Sequence, residues 1–219
     1  MAMERQSLLI LTLTVGPFAE NTYIVADPVS KEAFIIDAGD ESSVILENIR
    51  QQGWKAKAIL TTHGHIDHVG GAWEIQQALD IPFYIHKEDE FLLDNLPQAA
   101  AFFGLKPPKK PKITAYLEEG QEYILGEKVF QVFHVPGHSP GHVMFYTPPY
   151  AFVGDCIFQG SIGRTDLPGG SYPQLIQSIE QKIFSLPPET QLFSGHGPSS
   201  TVKTEMETNP FFNGKVFDL

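Results

Sequence analysis

The spacing of apolar and polar positions along the chain predicts two successive groups of strands. Leu11, Leu13 and Val15 alternate with threonines, and a period of two is typical of a half-buried strand. This pattern predicts a first strand over residues 8–15. Further strands are predicted at short apolar runs bounded by turn residues, namely 22–26, 33–37, 57–61, 121–125, 127–134, 142–147, 150–154 and 191–194.

Helical periodicity interrupts the strands at four places. Val44, Ile45 and Ile49 would share one face of a helix that begins after residue 40 and ends at Gly53. Three more helices are predicted at residues 71–79, 87–104 and 172–185. Two runs of strands with helices between them predict an α/β protein in which two sheets pack together with helices outside. No internal repeat or long linker divides the 219 residues, so we predict a single domain over residues 1–219.

The charge of the chain disfavours nucleic acid as a partner. Fifteen basic and 26 acidic residues give a net charge of −11, which argues against nucleic acid because nucleic-acid binding needs a basic face. Basic residues cluster with prolines at 106–112. This segment is predicted to be either a solvent-exposed loop or a lid that presents positive charge to an anionic substrate.

The apolar segments and the cysteine content favour a cytoplasmic protein that does not enter a membrane. No run approaches the ~20 apolar residues of a membrane helix. Residues 7–16 are apolar like a signal-peptide core, but they alternate with period two and no cleavage site follows. The single cysteine, Cys156, rules out an internal disulfide and fits a reducing compartment. Cys156 is predicted to be a small buried core residue.

Candidate metal ligands lie just after apolar runs. Residues 61–71 read TTHGHIDHVGG, so three histidines and an aspartate fall within six positions after the run at 58–60. A histidine or aspartate beside glycine follows later runs at His138, Asp155 and His196. Nitrogen and carboxylate ligands of this kind suit Zn²⁺, and also iron or manganese. The pattern therefore predicts a transition-metal site.

The segment from His63 to His68, HGHIDH, resembles the signature of the metallo-β-lactamase superfamily. His138, Asp155 and His196 fall at the order and spacing of the remaining ligands in that superfamily. The resemblance implies an αββα four-layer sandwich, with two mixed sheets flanked by helices. It also implies two divalent transition metals per chain, with zinc favoured over iron or manganese. One metal would be bound by His63, His65 and His138, the other by Asp67, His68 and His196, and Asp155 would bridge them.

Three further segments resemble a short branch of glyoxalase II, the hydroxyacylglutathione hydrolases: HSPGHV (138–143), GSIGRTDLPGG (160–170) and GHGPSST (195–201). The resemblance implies hydrolysis of a small thioester, such as S-lactoylglutathione, by a metal-bridging hydroxide that Asp67 and Asp155 orient. Only 23 residues follow His196, so the C-terminal helical domain that binds glutathione in full-length glyoxalase II is expected to be absent. Asp155 argues against a β-lactamase, because the zinc-binding lactamases that use a cysteine ligand carry that cysteine near this position.

Arg164 is the residue outside the metal set that we predict to bind substrate. It stands with Asp166 where glyoxalase II has a lysine and a tyrosine that contact glutathione. A guanidinium fork could hold a substrate carboxylate or carbonyl in a way that lysine would not reproduce. The alternative is that Arg164 only braces its loop by pairing with Asp166.

Other reactions and roles remain open from the sequence. A persulfide dioxygenase of the same superfamily would bind one Fe(II) through His63, His138 and Asp155, although GHGPSS replaces the tyrosine-containing sequence expected after the last histidine. A nuclease is disfavoured by the acidic charge, and a non-catalytic metal module by the complete ligand set. The remaining histidines, His86, His134 and His142, are predicted to be structural, although His142 could instead orient a metal ligand.

Overall fold

The structure, a computed structural model, describes residues 7–213. Its first sheet contains six strands in sequence order, antiparallel from β1 to β3 and parallel from β3 to β6. The strands are β1 (Leu9–Val15), β2 (Glu20–Ala26), β3 (Glu32–Ile36), β4 (Lys55–Leu60), β5 (Phe83–His86) and β6 (Ile113–Leu117).

The second sheet is also mixed. Its strands are β7 (Glu122–Leu125), β8 (Lys128–His134), β9 (Val143–Thr147), β10 (Tyr150–Gly154), β13 (Gln191–Ser194) and β14 (Ser200–Thr201). They lie in the order β14, β13, β10, β9, β8, β7, and β10 and β13 run parallel while the other neighbours are antiparallel. A small hairpin, β11 (Ile157–Phe158) and β12 (Ser161–Ile162), follows β10.

Seven α-helices accompany the sheets in the described part of the chain: α1 (Ser42–Gln52), α2 (Ile66–Val69), α3 (Ala72–Leu79), α4 (Glu90–Asp94), α5 (Leu96–Phe103), α6 (Tyr172–Ser178) and α7 (Val202–Thr208). A short 3₁₀ turn, Lys87–Asp89, precedes α4, and a π-helical turn, Ile179–Ile183, extends α6. No helix among residues 7–213 is long and apolar enough to span a membrane.

Alternation along the strands separates three apolar layers. In β2, Ile24 packs on the side of α1 and α3, whereas its neighbour Val25 packs between the two sheets. In β10, Phe152 joins the layer between the sheets, and Val153 packs with the helix that contains Leu175. Helices thus cover the outer face of each sheet. This arrangement confirms the predicted α/β fold with two mixed sheets.

The structure adds elements that the sequence patterns did not predict. These are α2, β5, β6, β14, the small hairpin and α7, and the helix predicted over 87–104 divides into Lys87–Asp89, α4 and α5. The strands β5 and β6 are four and five residues long, and the parallel pairs β4–β5 and β5–β6 supply their hydrogen bonds. The domain predicted over 1–219 extends past the described residues at both ends and stays a prediction.

Candidate metal centre

All seven predicted ligands follow strands, in loops and in the short helix α2, and they meet in one cluster. His63, Asp67 and the two histidines near them follow β4, and His138 lies between β8 and β9. Asp155 follows β10, and His196 follows β13. Rigid strands position the loops, and such loops commonly carry functional side chains. The structure therefore brings together residues that are up to 133 positions apart in the chain (63 to 196).

The first group contains His63, His65 and His138. One ring nitrogen from each lies within 4.8 Å of the others. Nδ1 of His65 is 2.9 Å from Nε2 of His138, and Nε2 of His63 is buried without a hydrogen-bond partner. Three converging imidazole nitrogens are a common set of ligands for zinc and other transition metals.

The second group contains Asp67, His68 and His196, whose ligand atoms also lie within 4.8 Å of one another. Nε2 of His196 is 3.3 Å from Oδ2 of Asp67. Nε2 of His68 is 3.8 Å from the same carboxylate oxygen. This group combines two imidazoles with one carboxylate, a second ligand set typical of transition metals.

Asp155 lies between the two groups. Its Oδ1 is 3.4 Å from Nε2 of His68, and its Oδ2 is 3.5 Å from Nε2 of both His138 and His196. One carboxylate therefore reaches histidines of both groups. This is the position that the bridging role predicted for Asp155 requires.

A buried network sets the tautomers of one histidine in each group. Oδ2 of Asp37 is 3.0 Å from Nδ1 of His68 and accepts a 2.7 Å hydrogen bond from the hydroxyl of Thr62. The oxygen of that hydroxyl is in turn 3.0 Å from Nδ1 of His63 and can accept a hydrogen bond from it. With Nδ1 of both histidines engaged in these contacts, Nε2 is the ring nitrogen that each directs into the cluster and can offer to a metal. The sequence patterns did not identify Asp37 or Thr62.

Backbone carbonyls orient two more ligands in the same way. Nδ1 of His138 donates to the carbonyl of Arg164 at 2.7 Å, and Nδ1 of His196 donates to the carbonyl of Phe18 at 3.1 Å. The Nε2 atoms of both rings are thereby left to face Asp155. The loop that carries Arg164 therefore positions a candidate ligand through its main chain.

Asp89 joins the two loops that carry the first group. Its buried carboxylate accepts hydrogen bonds from the amide of Gly64 at 2.9 Å, the hydroxyl of Ser139 at 2.7 Å and the amide of Gly141 at 2.6 Å. Burial raises the pKa of Asp89, and these three donors oppose that rise. Asp89 lay within a predicted amphipathic helix, where an acidic residue is ordinarily solvent-exposed, so the sequence pattern gave no sign of this role.

His142 contacts the cluster more closely than the predicted local packing implies. Its Nε2 accepts a 3.1 Å hydrogen bond from the amide of Asp155, and its ring stacks on His63 with centroids 4.7 Å apart. The structure thus favours the alternative, in which His142 orients a ligand. Its Nδ1 is 3.4 Å from Sγ of Cys156, which is buried as predicted.

Glu20 is a further acidic residue that sequence analysis missed. Its side chain is buried, with Oε1 3.8 Å from Nδ1 of His68 and Oε2 accepting from the hydroxyl of Thr22 at 3.0 Å. Burial raises the pKa of Glu20 well above its ordinary value. Glu20 starts β2 two residues before the strand predicted over 22–26, so the sequence pattern gave no sign of its burial.

The protonation states of the first group suit metal binding. Burial lowers the pKa of His63 well below its ordinary value and lowers the pKa of His65 to about 3, so both rings are neutral and can donate a lone pair. Burial would raise the pKa of Asp155, but the nearby His68 and His196 hold it well below its usual range. Asp155 is therefore ionised.

Negative charge dominates the second group. Burial opposes a charge on His196, but the carboxylates of Asp155 and Asp67 raise its pKa to about 10. Burial also opposes a charge on His68, and the same two carboxylates raise its pKa well above the ordinary value. A divalent cation would take over the charge neutralisation that these protons provide.

Buried atoms without partners provide a direct test of whether the cluster fits a metal. Within residues 7–213, seven buried side-chain nitrogen or oxygen atoms have no hydrogen-bond partner. Four of the seven belong to the cluster: Nε2 of His63, His65 and His68, and Oδ1 of Asp155. Leaving buried polar atoms unpaired costs free energy, so their concentration at one place indicates a ligand. The donor set fits transition metals.

A cleft of about 860 Å³ opens over the cluster, with Arg164 on its lining. The Arg164 side chain is half exposed, and its Nε and Nη2 each donate to a carboxylate oxygen of Asp166 at 2.7 Å. This is the pairing expected for the loop-bracing alternative. The predicted contact between Arg164 and substrate stays a prediction.

The basic segment 106–112 contacts the helices α3 and α4. Nζ of Lys109 lies 3.7 Å from the ring centroid of Trp73, and Nζ of Lys110 lies 2.5 Å from a carboxylate oxygen of Asp94. Lys106 and Lys109 line a second cleft, of about 450 Å³, that also reaches Asp67. The segment is thus a loop held near the site, and its action as a lid stays a prediction.

The other two histidines form a group of their own away from the cluster. The rings of His86 and His134 stack with centroids 4.3 Å apart, and Glu88 lies close enough to be a third ligand. Nε2 of His134, however, is 2.7 Å from the carbonyl oxygen of Pro140 and can donate to it. Stacking and this hydrogen bond agree with the structural roles predicted for His86 and His134.

Comparison with known proteins assigns the chain to a family. The model of the metallo-beta-lactamase superfamily matches residues 15–196, a range that includes every candidate ligand. The chain belongs to the metallo-β-lactamase superfamily. Members of this superfamily are metal-dependent hydrolases, and the predicted resemblance is confirmed.

The chain is similar over nearly its whole length to three named proteins of this kind. Hydroxyacylglutathione hydrolase GloC of Haemophilus influenzae is 38% identical over 212 residues, covering 93% of this chain and 97% of the relative. The solved structure of TTHA1623 in a di-iron-bound form is 44% identical, with a TM-score of 0.85 and coverage of 92% and 99%. The solved structure of BLEG-1 B3 metallo-beta-lactamase is 36% identical, with a TM-score of 0.88 and coverage of 94% and 100%.

Proposed function

We propose that this chain is a dinuclear metal-dependent hydrolase that cleaves small thioesters of the hydroxyacylglutathione type. One observation carries the proposal: two groups of three ligand-type side chains face each other, and Asp155 reaches both. The name of the GloC relative supports a thioester substrate. The net charge of −11 supports a small molecule rather than a nucleic acid.

In this proposal the two groups hold one metal each. His63, His65 and His138 would bind the first ion, and Asp67, His68 and His196 the second, with Asp155 shared. Zinc suits these ligands best, and iron is supported by the di-iron form of the TTHA1623 relative. Two divalent metals held there would lower the pKa of a bound water and polarise the carbonyl oxygen of an acyl substrate.

The lining of the cleft supports direct attack by water. Among the described residues that line it there is no serine, threonine, cysteine, lysine or tyrosine, so no such side chain can serve as a nucleophile. Asp67 and Asp155 line the cleft beside the histidines and would accept hydrogen bonds from the attacking water, which fixes its approach. A thioester suits this site because a thiolate leaves without strong help from a general acid, and a thiol has a pKa of about 8.5.

The dioxygenase alternative shares part of this site. Its three iron ligands would be His63, His138 and Asp155, and all three are in the cluster. The hydrolase is favoured because the second group, built on His68 and His196, is also complete. The absence of tyrosine from the described cleft lining agrees with this choice.

The test is a set of parallel assays on purified, metal-analysed protein. We expect the protein to release free glutathione from S-lactoylglutathione without oxygen uptake. Treatment with a chelator should abolish this activity, and addition of zinc, iron or manganese should restore it. Oxygen consumption driven by glutathione persulfide, with thioesters left intact, would establish the dioxygenase instead. A β-lactam is included because of the BLEG-1 relative, and hydrolysis of the lactam alone would overturn the thioesterase.

A further inference from the structure

The cleft over the metal cluster has an apolar wall. The helix α4 contributes Leu92, and α5 contributes Ala99, Phe102 and Phe103, which are spaced as one face of that helix. Phe18, from the loop between β1 and β2, extends this wall toward the cluster. Residues from the β11–β12 region, including Phe158, Ile162 and Leu167, form apolar surface across from the helices. Asn95 and Gln98 line the cleft on the same side, but most of its lining is apolar, which is typical of small-molecule sites.

Two phenylalanines of this wall are unusually exposed. Phe102 is 79% exposed and Phe103 is 38% exposed, although both are large apolar side chains. The two rings meet edge to face with centroids 5.0 Å apart, and Phe103 meets Phe18 at the same distance. Contiguous exposed apolar surface beside a polar site indicates a binding surface. A ligand that buries these rings would bind more tightly, because removing apolar surface from water is favourable.

Charges around the cleft disfavour an acyl group that depends on carboxylate contacts. Arg164 is the one lysine or arginine among the described residues that line it, and its guanidinium is already paired with Asp166. A compact polar acyl group would therefore leave the aromatic wall uncovered and would meet no free cation along it.

We propose that the site prefers thioesters with an extended apolar acyl group, which packs on the wall formed by Phe18, Phe102 and Phe103. This inference rests on the proposed thioester hydrolysis and specifies its substrate. The acyl carbon would lie at the metal cluster, and the chain would run along α5. Each buried methylene contributes to binding, so the specificity constant kcat/KM increases with acyl length until the wall is covered.

The experiment keeps the thiol carrier constant and varies only the acyl group. S-lactoyl-, S-butyryl- and S-octanoylglutathione are compared by release of free glutathione, each below the concentration at which it aggregates. We expect kcat/KM to be at least tenfold higher for the octanoyl than for the lactoyl thioester. The variant Phe102→Ser should reduce this ratio by about fivefold or more, while its metal content and melting temperature stay close to those of the unaltered protein.

A matched control uses an exposed phenylalanine elsewhere. Phe211 is 44% exposed and does not line the cleft, so Phe211→Ser should leave the octanoyl-to-lactoyl ratio unchanged. Hydrolysis of all three thioesters with equal kcat/KM, or with the lactoyl thioester fastest, would overturn this inference alone. An unchanged ratio in Phe102→Ser would also overturn it. Failure to cleave any thioester would overturn the proposed function, and this inference with it.

Discussion

Asp37 and His68 lie 31 positions apart in the chain, yet Oδ2 of Asp37 is 3.0 Å from Nδ1 of His68. The same carboxylate accepts hydrogen bonds from the amide and the hydroxyl of Thr62 at 2.7 Å each. Asp37 itself adopts a left-handed backbone conformation, with φ of 53°. A carboxylate that holds the far nitrogen of a metal-binding histidine fixes both its tautomer and its direction.

Replacement of Asp37 should weaken metal binding without removing a proposed ligand. We expect Asp37→Ala to lower metal affinity or activity by about 10- to 100-fold, the usual effect of losing such a partner. Asp37→Asn should have a smaller effect, because asparagine tolerates the left-handed conformation and keeps one of the two acceptor oxygens. Metal affinity is measured by competition with a coloured chelator. Wild-type affinity and activity in Asp37→Ala would show that the contact is incidental.

Metal content tests the proposed ligand set. Protein expressed with ample metal should contain close to two transition-metal ions per chain by elemental analysis. Asp155→Ala should lower metal content and activity together, because Asp155 is the carboxylate that reaches histidines of both groups. Full occupancy with full activity in this variant would falsify the bridging assignment.

The buried carboxylate of Asp89 should contribute to both stability and the site. Asp89→Ala leaves the amides of Gly64 and Gly141 and the hydroxyl of Ser139 without their acceptor. Because an unsatisfied buried donor costs about 1–3 kcal/mol, we expect the free energy of unfolding to fall by about 3 kcal/mol or more. Urea denaturation measures this change.

Asp94 provides the control for Asp89. It lies five residues along the chain, and its side chain is 61% exposed and pairs with Lys110. Exposed ion pairs contribute about 0–1 kcal/mol, so Asp94→Ala should change stability by less than about 1 kcal/mol. Equal changes in the free energy of unfolding for Asp89→Ala and Asp94→Ala would show that the three buried hydrogen bonds stabilise the fold no more than the exposed ion pair does.

Single variants of Arg164 and Asp166 distinguish substrate binding by Arg164 from loop bracing. If Arg164 binds substrate, Arg164→Ala should raise KM for an anionic thioester by roughly tenfold, as the loss of ~1.4 kcal/mol of charge-assisted binding implies. Asp166→Ala should then lower KM, because it releases the guanidinium from its present partner. A neutral thioester should respond much less. Similar small effects of both variants on every substrate would assign Arg164 to loop bracing.

Local features of the sequence were sufficient for much of the fold and for the candidate ligands. Alternation and helical periodicity predicted most strands of both sheets, because side-chain burial in a strand or helix repeats with the period of the backbone. The cluster from His63 to His68 is visible because four of the seven candidate ligands are neighbours in the chain. His138, Asp155 and His196 could be added because each follows an apolar run.

Tertiary structure alone decided which other residues serve the site. Asp37, Asp89 and Glu20 look like ordinary acidic residues in sequence, and their importance arises only from burial and from partners up to 52 positions away. The same holds for the apolar wall, where Phe18 and Phe103 meet from separate parts of the chain. Periodicity records which face of an element is buried, whereas hydrogen bonds and clefts between elements depend on how those faces pack, and no local pattern encodes that.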